Sequence, residues 1–210
     1  MTIICRDDDV LIGSSEYSDP LEKFKQVHSW ICEVPKEKLL HVPAILLYHE
    51  RATGAPGIID IPGAVEFVRE ETQEGRMRPE IHGYEHVDYG KLDKDTVIDH
   101  LQRCDDFIYK EFGVVPTTWY TPWGASQPHL HEAAEDAGLK LVDCSKIHKL
   151  RGRHGVVQRL RDGEDLSFLE NDEIFMHWWE GGLRLKRVIE VIKHGSWDKA
   201  VEENPQIDWV

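Results

Sequence analysis

The chain has 210 residues, 40% of them hydrophobic, enough for one domain over residues 1–210 with a well-buried core. Its 25 lysine and arginine residues against 39 aspartate and glutamate residues give a formal net charge of −14, which disfavours nucleic acid as a partner. The N-terminus has no basic and apolar leader, and no apolar run approaches the ~20 residues of a membrane span, so a cytoplasmic location away from membranes is the default expectation.

Apolar runs typical of strands alternate with helix patterns along the whole chain. This alternation predicts an α/β fold of about seven mostly parallel strands with outer helices. Such a sheet can close into a barrel or stay open, and the alternation alone does not choose between them. The predicted strands cover residues 2–5, 42–48, 78–81, 117–120, 139–142, 156–160 and 173–176.

Five helices have clear start or stop signals between these runs. Asp19-Pro20 supplies an N-cap and a proline in the first turn, and a stripe of apolar residues follows as far as Ile31. Asp93 opens another helix, which Gly113 closes. The remaining three are predicted over residues 62–74, 126–138 and 183–194.

The four cysteines show no short C-x-x-C spacing, so a structural zinc knuckle is not expected. They are expected to be buried free thiols, which suits a reducing compartment. These residues are Cys5, Cys32, Cys104 and Cys144.

Unusual polar and aromatic residues follow the predicted strands at their C-terminal ends. In a parallel α/β fold these strand ends share one rim, and catalytic groups collect there. We therefore expect residues far apart in the chain to become neighbours at this rim. The segments are Arg6-Asp7-Asp8-Asp9, His49-Glu50, residues 82–86, Pro122-Trp123-Gly124, Asp143 and His177-Trp178-Trp179.

Two of these segments together favour a metal site. Adjacent carboxylates at Asp7-Asp8-Asp9 repel one another unless a cation or hydrogen bonds offset their charge, although an acidic turn that caps backbone amides is an alternative. His82 and His86 are four apart, so one helical turn would bring both imidazoles to one metal; ordinary surface or core histidines are the alternative. A carboxylate and two histidines suit zinc and other first-row metals. A zincin protease is not expected, because Gly83 stands where its glutamate would be.

In this order, the segments resemble the polysaccharide deacetylase (NodB-homology, carbohydrate esterase family 4-like) superfamily over nearly the whole chain. The family's Asp-Asp pair is matched within Arg6-Asp7-Asp8-Asp9, and its H-x-x-x-H motif by His82 and His86. Its Pro-aromatic-Gly loop is matched by Pro122-Trp123-Gly124, and its last motif by Phe175-Met176-His177. The resemblance implies a distorted, incomplete (β/α) barrel.

The resemblance also implies an activity, which is metal-dependent hydrolysis of an acyl amide. The substrate would be an acetylated carbohydrate or a small acetamide, and the cofactor one divalent metal, zinc first, with cobalt, nickel, manganese and iron as further candidates. Asp9, His82 and His86 would hold the metal, Asp8 would be the general base and His177 the general acid. The predicted substrate-binding residues are Tyr120, Pro122, Trp123, Gly124 and Trp178.

Departures from the family pattern leave alternatives open. The family's arginine two residues before the proline is Tyr120 here, and Arg6 is a candidate replacement. The acidic triplet also allows Asp7 as base and Asp8 as ligand, although we prefer Asp8 and Asp9. Asp143 matches only loosely the motif that helps to hold the catalytic histidine. Hydrolysis of another C–N or ester bond, or a catalytically silent carbohydrate-binding protein, therefore remain as alternative functions.

Overall fold

The structure is a computed structural model that describes residues 2–9, 19–48, 56–142, 147–149, 155–169, 173–177 and 182–209. Several residues singled out in the sequence lie outside these ranges. They are His49, Glu50, Asp143, Cys144, Trp178 and Trp179.

Seven strands form one sheet in which every pairing is parallel. The strands are β1 (Ile3–Asp8), β2 (Leu39–Tyr48), β3 (Glu80–Glu85), β4 (Thr118–Trp119), β5 (Lys140–Leu141), β6 (Ile147–Lys149) and β7 (Glu173–His177). Their spatial order, β5-β4-β3-β2-β1-β7-β6, is the cyclic order of a (β/α) barrel. No ladder joins β5 to β6 among the described residues, so the sheet is an incomplete barrel and the predicted fold class is confirmed.

Seven α-helices accompany the sheet in the described part of the chain. They are α1 (Pro20–Ile31), α2 (Ala64–Gln73), α3 (Lys94–Phe112), α4 (Pro128–Asp136), α5 (Val156–Arg161), α6 (Gly182–His194) and α7 (Trp197–Glu203). The predicted caps are present: the Asp19 side chain accepts from the backbone N–H of Glu22, and Asp93 caps α3 in the same way through Thr96. Gly113 ends α3 with a left-handed φ of 72°. No described helix is long and apolar enough to cross a bilayer.

Some sequence predictions are wrong. Residues 156–160, predicted as a strand, form helix α5, because Val156 and Leu160 are four apart and both are buried on one helix face, which packs on α6. Strand β6 and helix α7 were not predicted. Cys32 is exposed, whereas Cys5 and Cys104 are buried as expected.

The buried side chains separate the two faces of the sheet. Two large apolar clusters pack the helices against its outer face, and they include Cys5 from β1. A smaller cluster lies on the inner face, where Val42, Ala44 and Tyr120 meet Ile4. Because side chains alternate along a strand, Arg6 and Asp8 face the same side as Ile4, whereas Asp7 faces the helices with Cys5.

Candidate metal centre

The predicted metal and acid–base residues lie at or near the carboxyl ends of three strands, with His82 inside its strand and the others at or just after a strand end. β1 ends at Asp8, and Asp9 follows with a φ of 54°, a left-handed conformation that is uncommon for a residue other than glycine. β7 ends at His177, which pairs with Asp8 in the β1–β7 ladder. β3 carries His82 and ends one residue before His86. The expected common rim is therefore present.

The two histidines of the H-x-x-x-H motif do not lie on a helical turn, so that prediction is wrong. His82 lies within β3, where residues four apart would be separated by about 13 Å in a straight strand. The chain instead turns at His86, because the backbone N–H of Val87 donates to the Glu85 carbonyl at 2.9 Å. This turn brings the two imidazole centroids to 5.7 Å.

Asp9 lies between these imidazoles. Its Oδ1 is 3.0 Å from Nε2 of His82 and 3.2 Å from Nε2 of His86. One ligand atom from each of the three residues falls within 4.8 Å of the others. His177 approaches the other carboxylate oxygen, with its Nε2 3.6 Å from Asp9 Oδ2.

The surroundings of His82 fit a metal ligand. Its Nδ1 lies 2.6 Å from the Tyr120 carbonyl, to which it donates, so that Nε2 points at Asp9. Burial by itself would raise the pKa of Asp9, but hydrogen bonds from His82 and His86 hold that pKa well below its usual range. Burial by itself would lower the pKa of His82, but the charges of Asp8 and Asp9 raise it. A cation can take the place of these imidazole protons, so the donor set fits a divalent metal.

Asp8 is held by Arg6, which lies on the same face of β1. Nη2 of Arg6 donates to Asp8 Oδ2 at 2.8 Å, and its Nη1 lies 3.6 Å from Oε2 of Glu173. The guanidinium lies 4.3 Å from the Tyr120 ring centroid, and the Tyr120 hydroxyl donates to Glu173 at 2.8 Å. Arg6 thus contacts Asp8, as the sequence suggested for a residue that replaces the family's arginine. The role of Glu173 was missed, although an acidic residue beginning an apolar strand was a visible signal.

Asp7 belongs to a different cluster on the outer face of the sheet. Its Oδ2 lies 3.6 Å from Nε2 of His41, and Nδ1 of His41 lies 2.9 Å from Nδ1 of His28. Nε2 of His28 is in turn 2.9 Å from Oε2 of Glu71. Burial lowers the pKa of both imidazoles, and that of His41 falls well below its ordinary value. Sequence reasoning missed this buried chain, because His28 and His41 lie in no recognised motif.

Of the predicted substrate-binding residues that the structure describes, Trp123 and Gly124 are exposed, whereas Tyr120 and Pro122 are buried. Trp123 is 73% exposed, has a φ of 60° and places its ring centroid 4.8 Å from that of His86. Tyr120 is buried, so it supports Arg6 and presents no surface to a substrate. Trp178 lies outside the described residues. A cavity of about 400 Å³ adjoins the loop and is lined by Asp88, Trp123, Gly124, Ala125, Ser126 and Gln127.

A family model described as polysaccharide deacetylase matches residues 49–142, which include the H-x-x-x-H motif and the Pro122-Trp123-Gly124 loop. No curated protein matches the chain.

Several solved structures share the fold. A chitin deacetylase from the fungal pathogen Colletotrichum lindemuthianum is 10% identical with a TM-score of 0.60, over 97% of this chain and 84% of that chain. A family 4 carbohydrate esterase from Streptomyces lividans, in complex with acetate, is 12% identical with a TM-score of 0.53, over 97% and 88%. A mutant of a Bacillus anthracis CE4 family pseudoenzyme, with restored enzymatic activity, is 12% identical with a TM-score of 0.58, over 91% of this chain. The chain spans only 62% of the length of that protein.

The match and the shared fold confirm the resemblance to the polysaccharide deacetylase (NodB-homology) superfamily. At 10–12% identity, the solved structures by themselves show the common incomplete barrel and no more.

Proposed function

We propose that the protein is a metal-dependent deacetylase that removes an acyl group, in the first place N-acetyl, from an amino-sugar-containing glycan or a related acetamide. The convergence of Asp9, His82 and His86 beside Asp8 and His177 carries this proposal. Those first three residues would hold one divalent metal, with zinc the first candidate. Such a cation would polarise the acyl carbonyl and make the attacking water more acidic.

Asp8 is the proposed general base. Its Oδ2 accepts the hydrogen bond from Arg6, and its Oδ1 receives none from the described residues. Oδ1 can therefore accept the proton of the attacking water. Asp7 faces the helices and lies 3.6 Å from His41, so its position favours the register with Asp8 as base and Asp9 as ligand.

His177 is the proposed general acid. It ends β7 beside Asp8 and keeps about a quarter of its side chain exposed, at 24%. A substrate bound between these residues would have the base on one side and the imidazole on the other. His177 would give a proton to the leaving amine.

The substrate class is supported by the rim loop. Trp123 offers a broad, exposed aromatic face directly beside His86, and such faces stack well on sugar rings. The adjoining cavity has polar side chains from Asp88, Ser126 and Gln127 that can bind sugar hydroxyls. Trp178 remains a predicted contributor to the same surface.

Acetate release from N-acetylated oligosaccharides, with Zn²⁺ supplied, tests the proposal. We expect release by the wild-type protein and none by His82→Ala or by protein treated with chelator. If no acetylated glycan yields acetate while metal is bound, another C–N or ester bond, or silent carbohydrate binding, becomes the better interpretation. If no metal binds at all, the proposal is wrong.

A further inference from the structure

A second group of metal-binding side chains lies between α1 and α2, on the outer face of the sheet. His28 Nε2 is 2.9 Å from Oε2 of Glu71 and 3.2 Å from Sγ of Cys32. One ligand atom from each residue lies within 4.8 Å of the others. His28 and Cys32 are four apart at the end of α1, so the helix brings both to one face, and Glu71 comes from α2.

The ring protons of His28 and His41 are arranged differently with and without a cation. The His28–His41 and His28–Glu71 contacts, both 2.9 Å, each need one proton, and two neutral imidazoles supply them. Nε2 of His41 is then an unprotonated nitrogen that faces Oδ2 of Asp7 at 3.6 Å, and burial opposes a third ring proton there. With a cation on Nε2 of His28, Nδ1–H of His28 can donate to His41, and Nε2–H of His41 can face Asp7.

We propose that His28, Cys32 and Glu71 form a second metal site that binds Zn²⁺ or a similar thiophilic cation. Thiolate and imidazole ligands favour such cations over magnesium, calcium or manganese. Zinc bonds of about 2.0–2.1 Å to nitrogen and about 2.3 Å to sulfur place these ligand atoms about 3.5 Å apart in a tetrahedral site, close to the observed arrangement. The proposed site is separate from the Asp9 centre, because it lies on the outer face of the sheet, between α1 and α2.

Arg76 supplies the competing explanation, an ion pair that needs no metal. Its Nε contacts Oε2 of Glu71, and its Nη2 donates to Oε1 of the same carboxylate at 3.0 Å. In the proposed site, these hydrogen bonds orient the ligating carboxylate. Cys32 and Arg76 also line a surface cavity of about 280 Å³, which gives a cation access from solvent.

Cobalt titration of the full chain under reducing conditions tests the proposal. Co²⁺ bound to a thiolate gives a near-ultraviolet charge-transfer band, and the other described cysteines, Cys5 and Cys104, are buried. We expect the band in the wild-type protein, its loss in Cys32→Ser and its weakening in Glu71→Gln. Glu74→Gln is the matched control, since Glu74 also approaches Arg76, at 3.9 Å, and is no member of the cluster. Its band should be unchanged.

The two centres can be counted separately. Wild-type protein should bind two equivalents of cobalt, Cys32→Ser one without the band, and Asp9→Asn one with the band. Zn²⁺ should also raise the melting temperature of Asp9→Asn but not of the doubly substituted Asp9→Asn, Cys32→Ser protein. A wild-type protein without the band, or a band that survives Cys32→Ser, overturns the second site. A single equivalent whose band depends on Cys32 supports the second site and contradicts the Asp9 centre.

Discussion

Asp7 and Asp8 are adjacent, identical and buried, yet they belong to different sites. Asp8 faces the inside of the incomplete barrel and accepts a hydrogen bond from Arg6. Asp7 faces the helices, where its Oδ2 lies 3.6 Å from Nε2 of His41. The strand pleat, rather than the residue type, therefore decides which carboxylate can meet a substrate. Asp9 differs again, because it lies beyond the strand and its left-handed backbone turns it towards His82 and His86.

The two faces also offset their charge differently. On the inner face a permanent cation, Arg6, compensates Asp8 and Glu173. On the outer face, Asp7 and Glu71 lie at opposite ends of an imidazole pair, whose charge depends on protons or on a bound cation. The inner arrangement orients the Asp8 carboxylate through a hydrogen bond from Arg6, which suits a base. The outer arrangement provides metal ligands and structural contacts.

The largest expected effect comes from Asp9→Asn. An amide carries no charge and is a weaker ligand for a divalent cation, so this centre should lose its metal and acetate release should fall to the detection limit. Elemental analysis of protein purified without chelator measures the loss in the Cys32→Ser background, where this centre is the remaining proposed site: Cys32→Ser should hold one equivalent of metal and the doubly substituted Asp9→Asn, Cys32→Ser protein none. Full occupancy with Asp9→Asn in that background, and loss with Asp8→Asn, would shift the register by one residue.

The next largest effect is expected from a comparison of Asp8 and Asp7, whose side chains lie on opposite faces of β1. Asp8→Asn should keep its metal and lose turnover by about 10²–10⁴-fold, the range for removing a positioned base. Asp7→Asn is the matched control on the other face. It should keep most of its turnover and lose about 1–3 kcal/mol of unfolding free energy, because a buried polar contact is weakened. Turnover and denaturant unfolding of both variants check this, and inactivity of Asp7→Asn with an active Asp8→Asn would contradict it.

His177→Ala should lower turnover by about 10²–10³-fold, because the leaving amine would lose its proton donor. Metal content and KM should change little, since His177 is no member of the Asp9 ligand group. Steady-state kinetics on an N-acetylated oligosaccharide separates kcat from KM. A variant with wild-type kcat would remove His177 from the mechanism.

Part of this arrangement could be predicted from sequence because it depends on local chemistry. The caps of α1 and α3, and polar residues directly after apolar runs, are short-range signals. The strand prediction for residues 156–160 failed because Val156, Val157 and Leu160 fit a short strand or one buried turn of helix equally well. Strand β6 was not predicted because two of its three residues are polar. Their strand conformation comes from pairing with β7.

The partners of the acidic triplet could be predicted less well. Alternation would separate Asp7 from Asp8 on any strand, but it does not say which face meets helices. His41 becomes a neighbour of Asp7 through the pairing of β1 with β2, and His28 reaches His41 through the packing of α1 on β2. The prediction that His82 and His86 share a helical turn failed for a related reason. Sequence spacing alone does not distinguish a helical turn from a strand that bends at its end.

The smallest expected effect comes from Arg6→Lys, which tests how the inner face positions its base. Lysine keeps the charge but lacks the planar fork with which Arg6 reaches both Asp8 and Glu173 while it stacks on Tyr120. We expect kcat to fall about tenfold, with KM and metal content unchanged, as is common when a group that orients a working residue is altered. Tyr120→Phe is the matched control: it removes the hydroxyl that donates to Glu173 but leaves the Arg6–Asp8 contact, so its kcat should fall less. Circular dichroism confirms that both variants fold. If Arg6→Lys turns over like the wild type, or if Tyr120→Phe is the more damaged, Asp8 does not depend on Arg6 for its orientation.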